Sequence, residues 1–187
     1  ILRNFSAPVV LEFAADHAAL LAHDTDPFNR WESARALALA SLLATITKGT
    51  SPDADYLQGI ATVLRDDQLD PAYRALMLGL PGQSELAAAL HRNGNTPDPQ
   101  AIYDAVQAMK QALAQTLKDD LPALYADNQV TAPYAPDAEQ SGKRALGNAA
   151  LSLLTRLDGG DAAQAQYDSA TNMTQQLAAL ANLIRAG

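Results

Sequence analysis

The stretch Asp98-Pro99-Gln100-Ala101-Ile102-Tyr103-Asp104-Ala105-Val106-Gln107-Ala108-Met109-Lys110-Gln111-Ala112-Leu113-Ala114-Gln115-Thr116-Leu117 decides the fold class. Ile102, Val106, Met109, Leu113 and Leu117 step by three or four residues, so on a helix they make one apolar stripe. Asp104, Lys110 and Gln111 fall elsewhere on the circumference. At its start, Asp98 offers a carboxylate to an orphan backbone N–H, and Pro99 lacks the donor that would have no partner there. One buried face calls for further helices to cover it.

Working outward, the same punctuation recurs. Asp26-Pro27, Ser51-Pro52 and Asp70-Pro71 mark three more helix starts. Leu80-Pro81 and Ala135-Pro136 open two others, and Asp161 and Asn172 are N-caps for the last two. Pro122 kinks or locally resets the chain, because its ring removes an i→i−4 bond and crowds the preceding turn. Leu146, Ala149, Ala150, Leu153 and Leu157 form a second stripe. Gly94 and Gly159-Gly160 lie in loops. Connections are short, which favours antiparallel neighbours, and no fixed-period repeat is visible. The expected fold is all-α, an irregular superhelical array of antiparallel helical hairpins. A short strand remnant precedes it at Ala7-Pro8-Val9-Val10-Leu11, a β-branched run after a proline.

Composition narrows the function classes. Of 187 residues, 48% are hydrophobic and only 5% aromatic, so the core is built from aliphatic side chains on closely packed helices. Thirteen Lys and Arg against 21 Asp and Glu leave a formal charge of −8, which argues against nucleic acid and anionic membrane surfaces as partners. The chain has no cysteine, which excludes disulfides and thiolate chemistry and suits a reducing cytoplasm. The apolar run from Ala34 to Thr47 is interrupted by Arg35 and Ser41 and falls short of the roughly 20 residues of a membrane span, so it reads as a buried helix. The opening Ile1-Leu2-Arg3 has neither an initiator Met nor a signal-peptide pattern, and the chain reads as a piece of a longer protein.

No constellation for catalysis emerges. A helical zinc site needs two His at i, i+4 with a Glu between them. His17 and His23 are six residues apart, about 240° around a helix, and His91 is remote, so all three read as surface or packing residues. Asp24-Thr25-Asp26 with Asn29 lacks the glycine and twelfth-position Glu of a calcium loop and reads as capping. Gly-x-Ser-x-Gly, a P-loop and a dinucleotide fingerprint are absent. Asp161 puts a negative charge where a phosphate at Gly159-Gly160 would sit. Asp66-Asp67 and Asp119-Asp120 read as solvated pairs, Lys143-Arg144 as a surface pair, and Trp31, three residues after Phe28, as core. Catalytic, cofactor-binding and metal-ligating residues are therefore expected to be none in this chain.

Certain strings are less generic. Arg3-Asn4-Phe5-Ser6-Ala7-Pro8-Val9, Asp26-Pro27-Phe28-Asn29-Arg30-Trp31-Glu32 and Asn172-Met173-Thr174, in this order and at these distances, resemble the bacterial aminopeptidase N family of zinc metallopeptidases. Leu121-Pro122-Ala123-Leu124-Tyr125 and Gly142-Lys143-Arg144-Ala145-Leu146-Gly147-Asn148-Ala149 support the match.

The resemblance implies that residues 1–12 end a β-sandwich domain and that residues 13–187 form the first part of a C-terminal helical domain. It implies zinc, its His-Glu-x-x-His ligands and the amine-holding segment in a catalytic domain upstream, with no counterpart among these residues. The helical segment would help cap that site and shape the substrate chamber. Its partners would be the catalytic and β-sandwich domains of the same chain, and peptides the substrates. Phe28, Arg30 and Trp31 are the candidates for a structural or domain-junction anchor, since an aromatic pair beside a fork-shaped cation suits such a contact. The alternative reading is an independent helical-repeat module that binds proteins or peptides.

Overall fold

The computed structural model describes residues 15–187. Among them ten helices follow one another with no strand: α1 (His17–His23), α2 (Pro27–Lys48), α3 (Ala54–Arg65), α4 (Pro71–Met77), α5 (Gln83–Arg92), α6 (Pro99–Thr116), α7 (Leu121–Asp127), α8 (Ala138–Asp158), α9 (Asp161–Ser169) and α10 (Met173–Ala186). The expected strand at 7–11, and with it residues 1–12, lies outside the described residues.

The Asp-Pro starts lie where the sequence puts them. Asp26 accepts from the backbone N–H of Phe28 and Asn29, Asp70 from those of Ala72 and Tyr73, and Asp98 from that of Gln100. Asn172 likewise caps α10 by accepting from the Gln175 N–H at 3.1 Å. Starts marked by other X-Pro pairs fall two residues later. Asp53, not Ser51, caps α3, accepting from Tyr56 N–H at 2.8 Å, and Asp137 caps α8 by accepting from Gln140 N–H at 2.8 Å. In both cases the carboxylate just beyond the proline reaches the orphan donor. The helix after Leu80-Pro81 begins at Gln83, behind Gly82, with no side-chain cap.

Asp161 is not a cap. It is the first residue of α9, preceded by Gly159 and Gly160 with φ of 70° and 107°. The capping carboxylate is that of Asp158, which accepts from Gly160 N–H at 2.9 Å and Ala162 N–H at 3.1 Å. The tight left-handed reversal brings the end of α8 back over the start of α9. Pro122 resets rather than kinks: α6 ends at Thr116, and Pro122 is the second residue of α7.

The predicted α6 stripe is the spine of the core, with Ile102, Val106, Met109, Leu113 and Leu117 all buried. It joins Leu21 of α1, Leu42 of α2, Ile60 and Leu64 of α3 and Leu146 of α8 in one cluster. Of the second stripe, Leu146, Ala150 and Leu153 are buried, whereas Ala149 and Leu157 are half-buried. A smaller cluster of Leu151, Ala163 and Ala179 joins α8 to α9 and α10. The Ala34–Thr47 run lies inside α2, with Ala34, Ala38 and Leu42 in the core. Among the described residues no helix is long and apolar enough to cross a membrane.

Helix α8 packs on α4, α6, α7, α9 and α10, and two glycines let it approach closely. A Cβ on Gly142 would lie 3.2 Å from the Ala72 backbone nitrogen of α4, and one on Gly147 would lie 3.1 Å from the Asn128 carbonyl after α7. At the other end α1 packs on α2 and α3, and α2 on α3, α5 and α6. The result is the expected helical array, built from successive antiparallel hairpins.

Two of the hairpins share a sequence device, Asp-Pro-x-x-Arg. In Asp26-Pro27-Phe28-Asn29-Arg30, Arg30 Nε donates to the Leu21 carbonyl at 3.0 Å. In Asp70-Pro71-Ala72-Tyr73-Arg74, Arg74 donates to the Leu64 carbonyl. Each arginine sits on the first turn of the second helix and reaches back to a carbonyl near the end of the first. That end carries orphan acceptors which a guanidinium satisfies.

Candidate functional site

The three anchor candidates lie at the α1–α2 corner. Asp24 accepts from Asp26 N–H at 2.8 Å and from Asn29 Nδ2 at 3.3 Å, so the acidic Asp24-Thr25-Asp26 segment acts in capping, as its sequence implies. Phe28 and Trp31 have ring centroids 5.9 Å apart in a tilted pair. Trp31 is half-buried and packs against the core, whereas Phe28 is 47% exposed, so the pair straddles the surface.

The cation beside Trp31 is not Arg30. Arg35, one turn further along α2, places its guanidinium carbon 5.4 Å from the Trp31 centroid and pairs with Glu85 of α5 at 2.5 Å. Arg30 is turned the other way, to the Leu21 carbonyl. Tyr73 closes the corner: its hydroxyl donates to the Pro27 carbonyl at 2.9 Å, so the two Asp-Pro-x-x-Arg turns meet. Burial raises the Tyr73 phenol above its ordinary range, Arg30 pulls it down and Asp26 pushes it up. The corner joins α1, α2, α4 and α5 through named contacts, and it presents an apolar ring at the surface.

Two other expectations are corrected. Lys143-Arg144 is not a surface pair: Arg144 is 4% exposed, beneath the Tyr134 ring at 4.6 Å. It donates to the Ala135 carbonyl at 2.7 Å and to Gln140 Oε1 at 2.9 Å, because the loop before α8 folds back over it. Lys143 alone faces out, paired with Glu139 at 2.9 Å. Asp119-Asp120 is likewise not simply solvated, since Asp120 accepts a forked pair of bonds from Arg65 Nε and Nη2.

A zinc centre does not fit the residues described. His17 Nδ1 lies 3.3 Å from Ser33 Oγ, His23 is exposed at the far end of the same helix, His91 is exposed on α5, and no group of three His, Cys, Asp or Glu converges among the described residues.

A recess that sequence reading passes over lies between α6, α8 and α10, with a volume of about 690 Å³. Lys110, Arg156 and Arg185 line it, with Tyr103, Gln107 and Asn182. Arg156 Nη2 donates to Gln107 Oε1 at 2.5 Å. Arg185 Nη1 lies 3.4 Å from Oδ1 of the buried Asn182. Burial, then Arg156 and Arg185, hold the Lys110 ammonium below its ordinary range. Burial also lowers Arg156; Tyr103 opposes that and Arg185 adds to it.

Residues 14–187 match the family described as "Domain of unknown function (DUF3458_C) ARM repeats". The chain belongs to this DUF3458_C family. Irregular stacked hairpins are the architecture that an ARM-repeat description implies. The DUF3458_C chain is similar to Aminopeptidase N of Caulobacter vibrioides, at 33% identity over 195 residues, covering 100% of this chain and 22% of that protein. Aminopeptidase N of Escherichia coli is 31% identical over 197 residues, with the same coverage. Among solved structures, the crystal structure of Legionella pneumophila aminopeptidase A in complex with aspartic acid superposes with a TM-score of 0.77 at 27% identity. The match covers 97% of this chain and 23% of that one. The resemblance to aminopeptidase N read from the short strings thus extends over the whole DUF3458_C chain, which spans about a fifth of the length of these relatives.

Proposed function

We propose that this chain is a non-catalytic helical segment of a zinc-dependent aminopeptidase N, which removes N-terminal residues from peptides. In this reading the segment caps the active site, shapes the substrate chamber and works in the cytoplasm. The observation that carries it is the end-to-end similarity to Aminopeptidase N of Caulobacter vibrioides at 33% identity. Zinc would be held by other parts of a longer chain, because the residues described offer no converging ligand set. The segment's own contribution is shape and packing. Phe28, Arg30 and Trp31 serve as the domain-junction anchor, supported by an aromatic surface on a corner that four helices lock in place. Helix α10 supports a second covered face: Met173, Leu177 and Leu180 are all exposed at helical spacing, a stripe suited to burial against further protein.

The test has two arms. Incubated with zinc and alanyl-p-nitroanilide, the purified chain should give no hydrolysis above buffer, and chelator-sensitive turnover would refute the non-catalytic role. Substituted for the matching segment of Escherichia coli Aminopeptidase N, it should restore peptide hydrolysis that deletion of that segment abolishes or deregulates. A soluble chimera no different from the deletion would refute the chamber role.

A further inference from the structure

The recess between α6, α8 and α10 runs against the charge of the rest of the molecule. The chain carries 21 acidic residues and a net charge of −8, yet none of the residues lining this recess is Asp or Glu. Three cations share it, and no carboxylate pairs with Lys110, Arg156 or Arg185 among the described residues. Like charges gathered in a partly desolvated recess repel, so the arrangement is unfavourable until an anion enters.

The two arginines are steadied by neutral acceptors, Gln107 and Asn182, instead of acids. A guanidinium has five donors in a fixed fork, so each keeps several for a ligand, in the geometry that a carboxylate matches. The flanks distinguish a peptide from a bare inorganic anion. Tyr103 and Ile184, both exposed, border the recess and offer apolar contact to a chain passing over it.

We propose that this recess binds an acidic peptide segment, with Lys110, Arg156 and Arg185 holding Asp or Glu side chains and Tyr103 and Ile184 receiving the neighbouring backbone. The inference goes beyond the chamber role and does not depend on it, since the binding belongs to this chain alone.

The probe is a fluorescein-labelled Glu-Ala repeat peptide titrated into the 187-residue chain at low salt, with its Gln-Ala counterpart and inorganic phosphate as the other arms. Saturable binding of the Glu peptide is expected, with no binding of the Gln peptide. Lys110→Gln and Arg156→Gln should each weaken it about tenfold or more, while Lys118→Gln, an exposed cation elsewhere, should not. Circular dichroism confirms that each variant is folded; should Arg156→Gln melt early, Lys110→Gln decides. Absence of saturable binding overturns the proposal, as does equal loss in the Lys118 variant. Phosphate that displaces the peptide at equal concentration also overturns it, by making this an inorganic-anion site.

Discussion

Gly59 of α3 lies flush against Leu21 of α1: a Cβ built on the glycine would stand 2.4 Å from Leu21 Cδ2 and 2.8 Å from Cγ. Both residues are buried, so the extra methyl has nowhere to go unless Leu21 changes rotamer or α1 moves away. Gly59→Ala is expected to destabilise the chain by about 1–3 kcal/mol in urea unfolding, despite alanine's better helix propensity. Because the two sites share one contact, adding Leu21→Ala should cost less in the Gly59→Ala background than in the wild type. Strict additivity would show that the close approach does not strain the packing.

Tyr56 predicts an alkaline weakness. Its ring is buried in the main core, and its hydroxyl is fully enclosed without a hydrogen-bond partner. Burial raises the phenol well above its ordinary value. The folded-state value lies above the unfolded one, so the stabilisation is complete below about pH 10 and falls as pH rises further. Tyr125 is raised by burial in the same direction. Unfolding measured across this window should show stability dropping for the wild type and dropping less steeply for Tyr56→Phe. At neutral pH the Phe variant should match or exceed the wild type by about 1 kcal/mol, since the removed hydroxyl is unsatisfied. Identical pH slopes would contradict the assignment.

What was legible in the sequence follows from the range of the interactions. The α6 stripe and the Asp26, Asp70, Asp98 and Asn172 caps are set by residues within one or two turns, so periodicity and cap chemistry find them. The helices after Ser51-Pro52 and Ala135-Pro136 start later than those pairs suggest, because the aspartate just beyond each proline is the side chain that caps, Asp53 on the Tyr56 N–H and Asp137 on the Gln140 N–H. The surface-pair reading of Arg144 fails for a tertiary reason, since the Tyr134–Ala135 loop closes over it. The contacts Arg35–Glu85, Arg65–Asp120 and Arg156–Gln107 span 50, 55 and 49 residues, and no local pattern announces them. The Asp-Pro-x-x-Arg pair, by contrast, was present as a short repeat, and its N4 arginines were the readable signal for the interhelical latch.

The Arg65–Asp120 pair offers a measure of how little an exposed ion pair contributes. Arg65 Nη2 stands 2.8 Å from Asp120 Oδ2 and Nε 3.1 Å from Oδ1, a two-pronged geometry joining the end of α3 to the start of α7. The arginine side chain is more than half exposed, however, so water screens the interaction. A double-mutant cycle with Arg65→Gln and Asp120→Asn should return a coupling of no more than about 1 kcal/mol, shrinking as salt is added. A coupling well above that, insensitive to salt, would mean that the pair is shielded in solution.

The two Asp-Pro-x-x-Arg latches should behave differently, although their sequences match. Arg30 donates through Nε to Leu21, whereas Arg74 donates to Leu64 while its own Nε is buried without a partner. Burial therefore lowers the Arg74 guanidinium from its ordinary range, with Asp67 and Asp66 opposing that shift. Arg30→Gln removes a satisfied bond and leaves the Leu21 carbonyl short of a donor, at an expected cost of about 1–2 kcal/mol. Arg74→Met also exposes a carbonyl to loss of its donor, but it retains the apolar stem and relieves the enclosed, unpaired Nε–H, so its cost should be the smaller of the two. Tyr73 donates to the Pro27 carbonyl and joins the two turns, so the combined variant should depart from additivity, and Tyr73→Phe should restore it. Urea unfolding of the two singles, the double and the Tyr73→Phe backgrounds reads all three expectations. Equal costs for Arg30→Gln and Arg74→Met, additive in the double, would mean that the latches act as independent and equivalent hydrogen bonds.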